Sequence, residues 1–269
     1  MELFFDLVFV FALTQVTDLM SDDPSARGIV RGLLIMAVLW SSWVGYAWLA
    51  NVVQADEGIT RVSMFAAMTA MFILALTIPE AFEDAPGGLS GPVVFAVGYF
   101  AVRCTHLVMF WSVARDDPGL RRQLLRFTPS VLVGTGMLLV ASQLDGTAQM
   151  AFWALAFVGD YVGTMLGGAS GWRLPSARHF AERHGLIIII ALGESIVSIG
   201  IGVAELPISW PIVAASILGL VVSGCLWWCY FDTQAIAAEH ALSALEGEPR
   251  SRLGRDAYSY LHLPMAAGI

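Results

Sequence analysis

The chain contains no lysine and little charge of any kind. Charged residues make up 13% of its 269 positions and hydrophobic ones 57%, where an ordinary soluble domain is roughly 25% charged. That scarcity excludes a solvated globular domain. A net charge of −8, with basic residues confined to arginine, gives no footprint for nucleic-acid binding. Cysteine is nearly absent too. Cys104, Cys225 and Cys229 lie in apolar runs, and an odd number there makes no disulfide framework. No His or further Cys completes a metal-ligand spacing around Cys225 and Cys229, so no metal or cofactor is implied. The start has no basic n-region, hence no cleavable signal peptide is apparent. His-Glu-x-x-His, Gly-x-Ser-x-Gly and dense His boxes are missing, so no enzyme class is recognisable.

What the chain does have is apolar runs of about twenty residues, the length that crosses a bilayer core as a helix. The pattern predicts an all-α, polytopic transmembrane bundle forming a single membrane domain. Eight complete spans are expected at about 2–19, 33–49, 62–78, 92–113, 128–143, 149–166, 186–204 and 210–231, and a ninth begins near Tyr258. Turn signals such as Ser-Asp-Asp-Pro at 21–24 and Asp-Asp-Pro-Gly at 116–119 separate them. Because the last apolar run stops early, the domain is expected to be truncated at its C-terminal side.

Arginine sets the expected orientation. Eleven arginines (61, 115, 121, 122, 126, 173, 178, 183, 250, 252 and 255) fall in loops after even-numbered spans. Only Arg27 and Arg31 fall on the other side. The positive-inside rule then makes the even loops and the start of span one cytoplasmic.

Ionisable groups inside the spans are the candidate functional residues, because charge in lipid costs free energy and tends to mark pathways. Arg103 is expected about 16 Å into span four, and Glu194 at similar depth in span seven. Matching depth predicts that Arg103 and Glu194 pair. Helical spacing puts Tyr99, Arg103 and His106 on one face, Glu194 and Ser198 on another beside Ser195, and Asp160 with Thr164. Glu2 and Asp6 share a face of span one, where loop arginines could reach them. Glycines cluster as Gly163, Gly167 and Gly168 in span six and Gly193, Gly200 and Gly202 in span seven. They permit close helix packing or, at Gly193, a loosened helix.

Two long stretches, Glu2-Leu-Phe-Phe-Asp-Leu-Val-Phe-Val-Phe-Ala12 and Glu182-Arg-His-Gly-Leu-Ile-Ile-Ile-Ile-Ala-Leu-Gly-Glu-Ser195, resemble signature segments of the bacterial low temperature requirement A family. Trp227-Trp-Cys-Tyr-Phe-Asp232 and Tyr258-Ser-Tyr-Leu-His-Leu-Pro264 are similar to its later segments. The resemblance covers the whole chain. It implies a multi-pass protein of the bacterial inner membrane with roughly ten to twelve spans, linked to growth in the cold. It singles out Glu2, Phe5, Asp6, Glu182, Arg183, Gly185, Gly193, Glu194 and Ser195, and supplies no substrate.

Three functional classes follow. The first is a secondary transporter or ion or proton pathway using Glu194, Arg103, His106, Asp160, Asp6, Ser195 and Ser198. The second is a membrane sensor or structural protein whose charges lock helices. The third is a lipid-modifying enzyme built on Asp6 and the Glu182-Arg183-His184 cluster. The expected partners are the lipid bilayer and a small ion or small-molecule substrate, with no nucleic acid. An oligomer is compatible with the sequence.

Overall fold

A computed structural model describes residues 1–53, 58–204 and 206–269, and all regular structure among them is helical. Among the described residues, eight helices are long and apolar enough to cross a membrane. They are α1 (Glu2–Asp22), α2 (Ala26–Ala50), α3 (Gly58–Leu76), α4 (Gly91–Val113), α5 (Pro118–Ala141), α6 (Gly146–Gly167), α7 (Ala177–Val203) and α8 (Trp210–Cys229). Even α3, with 19 residues, is about 29 Å long, close to the hydrocarbon thickness.

Side-chain caps mark several helix starts. Ser25 accepts from the Gly28 N–H, Asp117 from those of Gly119 and Leu120, and Ser176 from that of His179. Each satisfies donors that the first helical turn leaves without partners. Pro92, Pro118 and Pro211 sit in first turns, where a missing N–H costs nothing.

Several boundaries differ from the sequence expectation: α2, α5 and α7 begin at Ala26, Pro118 and Ala177, well before the expected 33, 128 and 186. The eighth helix does not stop at Phe231. It passes through a π-helical turn at Tyr230–Gln234 into α9 (Ala235–Ser243). The ninth helical run starts at Gly247 and not near Tyr258: α10 (Gly247–Leu253) leads through a π-helical stretch, Gly254–Tyr260, into α11 (His262–Ala267). Its first turns carry Arg250, Arg252 and Arg255, and the hydropathy pattern therefore hides them.

The packing places α2 at the centre and α8 at the edge. Of their apolar stretches, 72% is buried within the protein for α2 and 6% for the run beginning at Trp210. Trp40, Trp43 and Tyr46 of α2 are among the largest fully buried side chains. Outward faces carry Leu7, Val108, Leu166 and Trp228, which suits a hydrocarbon surrounding. α5 and α6 approach closely through Gly163, where an added Cβ would lie 2.6 Å from that of Ser130. In α7 the glycines do something else. Gly193, Gly200 and Gly202 face open space, and α7 continues unbroken past them, so neither close packing nor a loosened turn applies there.

Candidate functional site

The intramembrane charges form three separate clusters. The first joins α4, α6 and α2. Arg103 Nη2 donates to both carboxylate oxygens of Asp160, at 3.0 and 3.2 Å, and Nη1 donates to the Ser41 carbonyl at 3.0 Å. Ser130 Oγ adds a longer contact of 3.4 Å to Asp160. The guanidinium also lies over the rings of Phe127 and Tyr99, at 5.1 and 5.8 Å from their centroids. Both charged groups are buried, at 1% and 5% exposure. By helical rise Arg103 sits about 15 Å from the Val113 end of α4, and Asp160 about 10 Å from the Gly167 end of α6.

The expected Arg103–Glu194 pair does not form. Equal depth is only one coordinate, and helix order decides the other two. α4 packs along α3, α5 and α2, and α5 carries α6 with it, bringing Asp160 to Arg103. α7 packs along α1 and α8. Glu194 instead accepts from Thr14 Oγ1 at 2.8 Å and from Ser198 Oγ at 3.1 Å, and Ser195 donates to the Ile269 carbonyl at 3.0 Å. This second cluster contains Glu194, Ser195 and Ser198 as the sequence grouped them, away from Arg103.

The third cluster binds the ends of α1 and α7. Arg183 donates to Glu2 Oε2 at 2.8 Å and to Asp6 Oδ1, which also accepts from Trp43 Nε1 at 2.8 Å. His179 Nε2 lies 2.9 Å from the same Glu2 oxygen. Phe5, fully buried, packs its ring 4.5 Å from that of Tyr46. The expected arginine partner of Glu2 and Asp6 is thus present, supplied from inside α7. Glu182, Arg183 and His184 do not converge on one surface. Arg183 and His184 point inward, whereas Glu182 is exposed and pairs with Arg178. Of the remaining motif glycines, Gly185 borders Phe231.

A cavity of about 60 Å³ adjoins the first cluster. Arg103, Asp160 and His106 line it, with Ser41, Thr164, Tyr161, Ser259, Tyr260 and Arg255 and a wall of aromatic rings that includes Trp48 and Trp172. Its lining thus runs from mid-span toward Trp172 and Arg255, at the end where the arginine-bearing segments lie. His106 is 1% exposed, and its ring rests against Gly45 and packs edge-on to Phe110.

Sequence reading missed Ser41, Ser259, Tyr260 and Arg255. Tyr258-Ser-Tyr260 stood within a recognised segment, and the chemistry of its Ser and Tyr was the available signal. It also missed a ring stack on the other side of α2. His184 Nδ1 donates to the Phe180 carbonyl, and His262 Nδ1 to that of Ala257, both at 2.9 Å, since a carbonyl only accepts. His262 Nε2 is then free to accept from Tyr230 Oη, at 2.8 Å. Among the described residues no group of three or more His, Cys, Asp or Glu could hold a metal, and the three cysteines are unpaired.

The family described as "Bacterial low temperature requirement A protein (LtrA)" matches residues 1–269. A protein of Rhizobium meliloti (strain 1021), "Uncharacterized protein RA0937", is 29% identical over 282 residues, which cover 100% of this chain and 66% of that relative. The chain therefore spans a little less than two thirds of the relative's length. No solved structure gives a significant match.

Proposed function

Because the chain belongs to the bacterial low temperature requirement A family, we propose that it moves a small solute or ion through the Arg103–Asp160–His106 cavity. One observation carries this reading: a cavity with room for water or a small ion reaches a buried ion pair at mid-span. His106, in the same lining, has one donor and one acceptor nitrogen when neutral and is suited to passing a proton. The arginine-rich end faces the cytoplasm of a bacterial inner membrane, by the positive-inside rule. In this scheme Asp6 and Glu2 anchor helices, and Glu194 holds α7 to α1. Cold-growth dependence is the whole-cell trait expected of such a protein.

The test is flux in proteoliposomes under imposed proton, sodium and potassium gradients, at matched amounts of folded protein. Asp160→Asn should abolish the flux that wild type shows, and Glu194→Gln should retain it. Equal flux in wild type and Asp160→Asn would overturn the proposal. A second reading, a purely structural or sensing role, is favoured by the Arg183–Glu2–Asp6 lock, which ties α1 to α7. It predicts no flux from any folded variant.

A further inference from the structure

The outer edge of the bundle holds a second concavity, separate from the mid-span cavity. An open groove of about 450 Å³ lies between the first half of α7 and the run from α8 into α9. Small residues leave it unfilled: Ala181 and Gly185 on α7 and Ala235 opposite all line it. Phe231, carried by the π-helical turn at Tyr230–Gln234, forms its floor, 3.5 Å from where a Cβ on Gly185 would stand. Turns of this kind recur at functional sites. Two motif residues that the mid-span site does not use, Glu182 and Gly185, belong to this groove.

Polarity changes along the groove. Glu182 and Glu239 stand at the arginine-rich end, and Leu186 and Ile189 lie deeper. By helical rise Ile189 is about 10 Å beyond Glu182 on α7, and Phe231 about 12 Å from Glu239 on the facing run. Two helices running in opposite directions thus place carboxylates at headgroup level and apolar side chains at the level of the acyl chains. Arg178 completes the mouth. It is 78% exposed, donates Nε to Glu182 at 2.7 Å and interacts with Glu239 as well. Its Nη groups give it further donors. Counting Glu182, Glu239 and Arg178, the mouth carries a charge of −1. We propose that the groove binds one zwitterionic phospholipid with a primary-amine headgroup. Its ammonium sits between Glu182 and Glu239, its phosphate meets Arg178, and an acyl chain lies along Leu186, Ile189 and Phe231. A lipid with phosphate alone meets net repulsion there, and a quaternary ammonium has no N–H to give the carboxylates.

The experiment is native mass spectrometry of the full chain released from detergent, titrated with single lipids. The probes are phosphatidylethanolamine, phosphatidylcholine and phosphatidylglycerol with identical acyl chains. Phosphatidylethanolamine should fill one tight site, and the other two should bind at least about tenfold more weakly, the order expected when a charge-assisted hydrogen bond is lost. Glu239→Gln should bring phosphatidylethanolamine down to the level of phosphatidylcholine. Ala235→Trp, which fills the groove, should remove the tight site. Glu83→Gln, in the loop before α4 and paired with Arg31, should change nothing. Equal affinity for the three lipids, or a preference that survives both groove variants, would overturn the inference. A protein dimer that takes up no lipid would overturn it too, because a second copy would then cover the groove.

Discussion

Arg103 on α4 and Asp160 on α6 form a two-oxygen ion pair in the middle of the bundle, and the cavity borders both residues. Neither charge has a second full counter-charge among its hydrogen-bond partners. Asp160→Asn should therefore cost roughly 3–5 kcal/mol, because it strands a buried guanidinium. Replacing both, as Arg103→Met with Asp160→Leu, should recover most of that loss. Thermal unfolding in detergent reads the difference, and a double variant no more stable than either single one would contradict the pairing.

Arg183 holds two carboxylates, so its loss should be felt more than that of Glu194. Arg183→Gln leaves Asp6 buried with only Trp43 and should cost roughly 3–5 kcal/mol. Glu194→Gln keeps one side-chain oxygen, for either Thr14 or Ser198, which donate to different carboxylate oxygens, and should cost about 1 kcal/mol. The order of the two unfolding midpoints checks this.

Glycines in α6 and α7 should respond oppositely to alanine. At Gly163 the new methyl meets Ser130, itself in contact with Asp160, and overpacking should cost about 1–3 kcal/mol. At Gly193 nothing stands in the way, and better helix propensity should make Gly193→Ala neutral or stabilising by up to about 1 kcal/mol. The two unfolding midpoints in detergent should move apart accordingly.

Asp117, in the turn between α4 and α5, should make part of the stability acid-sensitive. Hydrogen bonds from the Leu120 N–H first, then from Arg173 and the Gly119 N–H, hold its carboxyl below its ordinary value of 3.8. A depressed value means the charged form is favoured by folding. Its contribution is complete above pH 3.8 and disappears as the pH falls through the lower folded value. Asp117→Ala should cost about 1 kcal/mol at neutral pH. Relative to wild type, the deficit should shrink only in that acidic window, as followed by unfolding at stepped pH.

The architecture was legible because lipid imposes a simple rule: every span must be a long apolar helix. The first seven expected spans each fall on a helix, although α2, α5 and α7 begin well before their expected limits, and the eighth runs on past its expected end because Tyr230–Gln234 stays helical through a π turn. The start at Gly247 was illegible, since Arg250, Arg252 and Arg255 break the hydropathy signal while the backbone stays helical. Among the candidate residues, the grouping within one helix survived: Glu194 does meet Ser198, and Arg103 and His106 do face one cavity. Pairing between helices did not follow from depth. Choosing Asp160 over Glu194 for Arg103 needs the lateral order of α4, α5, α6 and α7, which a linear pattern of charges does not contain.

Under the proposed function, the Arg103–Asp160 site is reached from the arginine-rich end through the cavity. Thr164 lines that cavity one helical turn beyond Asp160 and is the position to probe. With Cys104, Cys225 and Cys229 replaced by serine, Thr164→Cys should react with a charged methanethiosulfonate added on that side. Labelling should stop the flux in proteoliposomes, and reagent on the opposite side should leave it unlabelled. Failure to label from the arginine-rich side, or full flux after complete labelling, would contradict the account.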